Sequence, residues 1–440
     1  MSPTDVSETG SPDVTGAVKA TLPRRVLAAR TGVAFVFGLN GLALATWFSR
    51  VPAARDALGL TAGQLGLLLL ALSAGSLLAL PTAGAVAHRF GAARTVAAAT
   101  TLVAMGLAVV GVATGPLISV PAVCVGLFLV GYGTGTCEVA MNVEAAAVER
   151  RMGRTVMPRF HAAWSLGTVT GAALGAGVVR IGLPVVAHLA FVAVVVLVGT
   201  VLAVRPFLPV GTTAEAAVGS AADSDGAASG KRAAKSGSGV LAAWREPRTL
   251  LIGLLVLVMA FTEGTANDWL AVSFIDGHGF GEAAGAAVFG IFVAAMTVGR
   301  TFGTVALDRW GRIPTLLGSI LLAAVGAATA VFVDSGVLAM CGVALWGLGT
   351  ALGFPVGMSA AADEEDRAPA RVSVVAVIGY TAFLAGPPVV GLLGDRVGTL
   401  RALLVVPLLL LPALALLPAV RRPARRLSGE EPLIATTADA

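Results

Sequence analysis

Residues 186–204 read VAHLAFVAVVVLVGTVLAV, a run with no formally charged side chain. Roughly twenty consecutive apolar residues, wound as a helix, cross the hydrocarbon core of a bilayer. The helix is the form in which such a segment satisfies its own backbone N–H and C=O groups there. Working outward, Leu250–Ala260, Ile313–Val333 and Ala402–Val420 read the same way. The whole chain agrees with them. Of its 440 residues, 56% are hydrophobic and 12% charged, about half the charged fraction of a soluble domain, and mean hydropathy is +0.87. The sequence predicts an all-α, polytopic membrane protein. About twelve transmembrane helices fall near 30–50, 61–84, 95–113, 119–142, 160–182, 184–205, 249–271, 283–307, 313–333, 337–361, 372–393 and 401–420.

Residues 206–248 break the series. They are rich in Ala, Gly, Ser and Asp, with Lys231, Arg232 and Lys235; such a composition cannot bury a core and reads as a flexible linker. It leaves six spans in 30–205 and six in 249–420. Residues 1–29 read as a disordered tail and 421–440 as a second one. With both tails and the linker on the cytoplasmic side, twenty-four of the 30 Lys and Arg residues fall in cytoplasmic segments. The opposite loops keep Arg50, Arg55, Arg180, Arg396 and Arg401. The bias of basic residues toward the inside therefore places both termini in the cytoplasm and the chain in a bacterial inner membrane, as a monomer.

Several classes are excluded on composition. The pI near 9.6 is explained by loop arginines facing lipid headgroups, so no nucleic-acid partner is expected. Cys124, Cys137 and Cys341 sit in apolar runs without redox or metal spacing, and His88, His161, His188 and His278 form no ligand set; no metal or cofactor is expected. There is no phosphate-cradling Gly-rich loop with Lys-Ser/Thr, and no polar cluster suited to catalysis, so the chain reads as no enzyme.

The two halves echo each other. Asn40–Trp47 matches Thr262–Trp269, His88-Arg-Phe-Gly91 matches Asp308-Arg-Trp-Gly311, and Gly131-Tyr-Gly-Thr134 matches Gly347-Leu-Gly-Thr350. Internal repeats of this kind build transporters that rock two bundles about a midplane site.

Gly84-Ala-Val-Ala-His-Arg-Phe-Gly-Ala-Ala-Arg94 and Asp308-Arg-Trp-Gly-Arg312 resemble the loop signature of the major facilitator superfamily, Gly-x-x-x-Asp-Arg-x-Gly-Arg. That resemblance implies two pseudo-symmetric six-helix bundles. It also implies a cytoplasmic latch made by His88, Arg89, Asp308, Arg309 and Arg312. The first copy departs from the pattern, with His88 where Asp is usual and Ala92 where Arg is usual, which implies a weaker or pH-dependent latch. Ala45–Leu60, Met141–Glu144, Met157–His161 and Glu263–Trp269 resemble a bacterial subgroup that includes a rhizopine-linked membrane protein. More distantly, Gly135–Asn142 is similar to the fourth span of fucose:proton symporters, and by that spacing Glu138 and Asn142 take the place of a proton-carrying Glu and its Asn.

The residues support candidates of their own. A carboxylate inside a span costs about 2–3 kcal/mol on insertion scales and marks function by default. Thr134, Glu138 and Asn142 share one helix face, so Thr134 and Asn142 are expected to line the substrate cavity and Glu138 to carry a proton or touch substrate; a structural hydrogen bond to a neighbouring helix is the alternative for Glu138. Glu263 is expected in the cavity, sharing the proton-coupling role with Glu138, and Asp268 near the outer interface as a gate with Arg50. Glu144 is expected to pair with Arg150 or Arg151, with lining of the path as the alternative. Arg300 reads as an inner-gate residue or one that snorkels to the headgroups. Asn40 is expected to face the cavity by pseudo-symmetry. Tyr132 and Trp164 offer rings for a sugar-like solute, with core packing as the alternative. His161 reads as an interfacial hydrogen-bonder, with pH sensing open.

Together these readings predict a secondary active transporter working by alternating access and coupled to protons. Its solute is expected to be a small polar molecule of polyol, sugar or amino-cyclitol type. The second reading is a proton-driven exporter of a drug or secondary metabolite. Against it, span four lacks the Arg, and span five the Gly-Pro, that drug:proton antiporters carry.

Overall fold

The computed structural model describes residues 24–153, 156–208, 242–364 and 367–421. The expected tails lie almost wholly outside the described residues, as do Lys231, Arg232 and Lys235 of the expected linker. Among the described residues the structure is all helical. Six helices form the N-terminal half: α1 (Arg24–Leu58), α2 (Ala62–Phe90), α3 (Ala92–Ala113), α4 (Val120–Met152), α5 (Met157–Arg180) and α6 (Val185–Ala203). The C-terminal half repeats them with α7 (Pro247–His278), α8 (Glu282–Trp310) and α9 (Arg312–Phe332). A broken span follows, α10 (Gly336–Thr350) and α11 (Gly353–Ala361), and then α12 (Ala368–Val397). The last crossing is built from α13 (Thr399–Ala402), α14 (Val405–Ala413) and a 3-10 turn over Leu414–Val420. Among the described residues, twelve segments are long and apolar enough to cross a membrane.

Several helices outrun their expected spans. α1 continues to Leu58 and α4 to Met152, so Arg50, Arg55, Glu144 and Glu149 are helical residues and not loop markers. Their charges are paired or enclosed within the protein, which removes the reason for the helix to stop.

Local chemistry sets the ends. Thr61 caps α2 with a reciprocal box, its hydroxyl accepting from the Gln64 N–H while the Gln64 side chain accepts from the Thr61 N–H, which satisfies two orphan donors. At the other end of α2 a single residue, Gly91 (φ 82), turns the chain into α3; Gly311 (φ 81) does the same between α8 and α9. These are the glycines of the repeated loop motif, and only glycine takes that conformation without strain. In α11, Pro355 has no N–H to offer the carbonyl of Ala351, and the helix breaks there.

Small residues set the packing, as expected where lipid supplies no driving force between helices. The α1–α5 contact is so close that a Cβ on Gly41 would collide with the Trp164 carbonyl, and one on Gly167 with that of Gly38. The α3–α4 contact uses Gly106 against Gly126, and its counterpart α9–α10 uses Gly326 against Gly342.

The two halves meet mainly through α2 against α12 and α5 against α8. One face of the bundle carries the start of α1 and the end of the last crossing, here the terminal face; the other carries the α1–α2 turn, here the turn face. The halves are pressed together at the turn face. Gly63 and Gly66 at the start of α2 lie on Asp395, Leu392 and Pro387 near the end of α12, and Gly391 lies on Ala62 and Trp269.

Candidate functional site

The cleft between the halves is lined by one face of each facing helix. On α5, His161, Trp164 and Thr168 follow at helical spacing; on α7, Glu263 and Asn267 lie one turn apart. Trp164 and Thr168 share a small pocket with Glu263, Asn267, Phe48, Phe289, Val293 and Met296. Its cavity volume is about 30 Å³, room for about two water molecules. The cleft must open further before a solute enters at this level. The polar groups come mainly from the C-terminal half: the repeat puts Gly41 and Ala45 where Glu263 and Asn267 stand.

Glu263 does not stand alone. Arg300 on α8 donates to its Oε1 at 2.9 Å and to its Oε2 at 3.0 Å. The sequence named both residues, one for the cavity and one for the inner gate; the structure joins them in a single half-buried pair. His161, exposed on α5 across the cleft, lies within electrostatic reach of Arg300 and rests edge-on against Phe37.

Glu138 lies near the middle of α4 and is exposed, although it belongs to a buried span. Between residues 122 and 149 the helix exposes only Val125 and Glu138, about 140° apart at 100° per residue, so the apolar Val125 suits the lipid face and Glu138 the cleft. Its carboxylate has no hydrogen-bond or ion-pair partner among the described residues. Asn142, one turn on, donates to the Glu138 backbone carbonyl at 2.8 Å, a local bond to backbone and not to the carboxylate. Thr134 is buried with an unpartnered hydroxyl. Tyr132 shares a 2.9 Å hydrogen bond with Thr82 on α2 and stacks on Phe128. Asn40 is buried, 6% exposed.

The expected outer gate is not found as drawn. Arg50 is buried and donates to the Leu183 carbonyl. Asp268, 9% exposed, makes no ion pair among the described residues. The halves are instead joined by a pair that sequence reasoning missed. Arg55 on α1 donates to both oxygens of Asp276 on α7, at 2.5 and 2.8 Å, and Thr399 donates to Asp276 at 3.0 Å. Beside it the Thr61 hydroxyl donates to Asp395 at 3.2 Å. The signal was present as opposite charges near the ends of spans one and seven, but both spans had been ended too early to align them.

At the terminal face the latch residues divide. His88, Arg89, Asp308 and Arg309 are exposed, and Arg89 lies over the Phe90 ring. Arg312 is engaged, but with Asp363, at 2.7 and 3.0 Å. Arg248 donates to the same carboxylate at 2.8 Å. Glu144 does not pair with Arg150 or Arg151: fully buried, it accepts from the Leu208 N–H at 2.7 Å and so ties the segment after α6 to α4.

A family model described as Major Facilitator Superfamily matches residues 33–367. An uncharacterised transporter of Sinorhizobium fredii is 33% identical, over 84% of this chain and 93% of its own. The membrane protein MosC of Rhizobium meliloti is 29% identical over 86% of each. Among solved structures, the nucleoside transporter NupG superposes with TM-score 0.71 at 14% identity, covering 89% of this chain and 98% of its own. The fucose:proton symporter FucP of E. coli superposes with TM-score 0.58 at 17% identity, covering 91% and 100%. At such identities the structures speak for the fold alone. Twelve apolar helices and relatives of this kind make the chain a multi-pass membrane protein.

Proposed function

Because this chain belongs to the Major Facilitator Superfamily, we propose that it is a proton-coupled secondary transporter moving a small polar solute of polyol, sugar or amino-cyclitol type by alternating access. The observation that carries the proton reading is Glu138, an unpartnered carboxylate open to the cleft halfway along a membrane-crossing helix. A charge there is costly unless it is used. The solute reading rests on the cleft wall, where Asn267 and the Glu263–Arg300 pair face Trp164: hydrogen-bonding groups opposite a flat ring suit a hydroxylated ring. The resemblance of residues 135–142 to fucose:proton symporters points the same way.

Alternating access is supported by the closure of the two halves at the turn face alone, held by Arg55 and Asp276. The balance of basic residues puts the terminal face in the cytoplasm. The molecule is then caught open inward, in a bacterial inner membrane, and works as a monomer. The residues on either side of the 206–248 linker act as the two rocking bodies.

The test is proton flux in proteoliposomes, read with a trapped pH dye as polyols, amino-sugars and cationic drugs are added in turn. Flux evoked by a polyol or amino-sugar and abolished in Glu138→Gln supports the reading. Coupled flux unchanged in Glu138→Gln would remove that residue from the proton path. A second reading, export of an amphipathic drug or secondary metabolite, is favoured by the apolar wall of Phe48, Phe289, Val293 and Met296; flux evoked by cationic drugs alone selects it.

A further inference from the structure

The repeat carries one unexploited correspondence. Extending the match of Gly131-Tyr-Gly-Thr134 with Gly347-Leu-Gly-Thr350 by four residues puts Glu138 in register with Phe354. In the structure Phe354 belongs to an aromatic row on the C-terminal half. Its ring lies 6.1 Å from that of Tyr380, which lies 6.2 Å from Phe383. All three are half-buried, and Phe383 reaches α7 beside Gly264, next to Glu263.

Depth agrees with register. Glu138 is counted from the terminal-face end of α4 at Met152, and Tyr380 from the terminal-face start of α12 at Ala368. At 1.5 Å per residue they stand about 21 and 18 Å in from that face. They are on opposite halves, and the Glu138 charge reaches the Tyr380 phenol. Cys137 stands beside Glu138 on α4 itself. From α1, α2, α3 and α5, which pack on α4, no charged side chain makes a hydrogen bond or ion pair with the Glu138 carboxylate among the described residues. Among the described residues neither the Glu138 carboxylate nor the Tyr380 hydroxyl has a hydrogen-bond partner.

We infer that Tyr380 is the cross-cleft positioning residue for Glu138: when the halves close at the terminal face, its hydroxyl meets the protonated carboxyl, and closure selects the neutral acid. The inference rests on the proposed proton role of Glu138. Its physical basis is the seam that would form. An ionised carboxylate carried against Phe354 and Phe383 loses its water and is repaid by a single hydroxyl, which is too little. A neutral carboxyl donates its O–H to the Tyr380 oxygen and leaves no buried charge. The proton is taken from water at the open terminal face and returned to water when the turn face opens, and no covalent bond changes. Protonation therefore permits the crossing, and the empty, ionised carrier is held open.

The test uses the full chain in lipid nanodiscs with its three cysteines replaced by alanine. Spin labels are placed at Arg151→Cys and Ser373→Cys, both exposed near the terminal face. Acidification is expected to shorten the label distance with a defined midpoint, and Glu138→Gln to hold it short at every pH. Tyr380→Phe is expected to lower the midpoint by up to about one pH unit, since an unpaired buried carboxyl weakens closure roughly tenfold. Phe383→Leu, which disturbs the same wall without removing a hydroxyl, should leave the midpoint in place. A Tyr380→Phe midpoint equal to that of the parent, with Glu138→Gln locked, overturns the inference and leaves Glu138 as the proton site. A shift in Phe383→Leu as large as in Tyr380→Phe also overturns it, by assigning the effect to packing. A Glu138→Gln variant that responds to pH like the parent removes the proton role itself and the inference with it.

Discussion

Arg55 on α1 and Asp276 on α7 form the one ion pair among the described residues that joins the two halves, bidentate at 2.5 and 2.8 Å. Its side chains are 14% and 31% exposed, so solvent screens it and its worth is about 1 kcal/mol. Arg55→Gln or Asp276→Asn is expected to raise the population open at the turn face about fivefold, by that same estimate. Thiol labelling of a cysteine placed beside the pair measures this. Equal labelling of parent and variant would show that the glycine contacts of α2 with α12 hold the face without help.

The Glu263–Arg300 pair faces the cleft, so its two members are expected to depend on each other. Glu263→Gln leaves a half-buried guanidinium, and Arg300→Gln a half-buried carboxylate; each should destabilise by about 2 kcal/mol. The double variant should cost less than the sum of the singles, because neutral groups of similar shape remain paired. Thermal unfolding in detergent measures the cycle. Additive losses would mean that the two charges are solvated separately.

At the terminal face the structure separates Asp308, which the loop motif singles out, from Asp363, which no motif marks. Asp363 accepts from Arg312 and Arg248 and is nearly buried, whereas Asp308 is exposed. Asp363→Asn is expected to cost about 2–3 kcal/mol by leaving two arginines short of a partner, and Asp308→Asn less than about 0.5 kcal/mol. The ranking is read from thermal midpoints. A reversed ranking would place the latch of the resting molecule on Asp308.

Glu246 lies just outside α7. Burial works against its charged form, but hydrogen bonds from Arg371, Thr249 and Arg367 outweigh that and hold its carboxyl below the ordinary glutamate value. The unfolded chain therefore binds a proton at a pH where the folded one does not. The resulting stability is fully present above the unfolded value, about 4.3, and is lost as pH falls through the lower folded value. Glu246→Gln should flatten the acid limb of the stability profile below about pH 5. An acid limb as steep as the parent's would assign it to other carboxylates.

Much of this was legible from the chain alone. Apolar runs as long as Val186–Val204 admit one structure in a bilayer, and the repeated Gly91 and Gly311 marked the corners between helices. Glu138 stood out as a candidate, because a carboxylate far from any span end has few mundane explanations. The pairings were not. Glu263 and Arg300 belong to different helices, and no local pattern tells which faces of α7 and α8 meet. Arg50 and Asp268 pair only if charge marks the membrane surface. Packing instead encloses Arg50 against the Leu183 carbonyl, and the true contact lies further along both helices, at Arg55 and Asp276. Tyr380 carried no signal of its own, since one aromatic among many apolar neighbours becomes informative only when its level in the bundle is known.

The break between α10 and α11 has a mechanical consequence. Its counterpart α4 is one unbroken helix of 33 residues, while the C-terminal half has a joint at Ala351–Leu352, two prolines inside α12 at Pro387 and Pro388, and a last crossing made of three short pieces. The contrast lies between these counterpart spans and not between whole halves, since α1 and α2 carry Pro52 and Pro81 of their own. Phe354 thus sits just past a joint, while Glu138, its counterpart in the repeat, stands on a continuous helix.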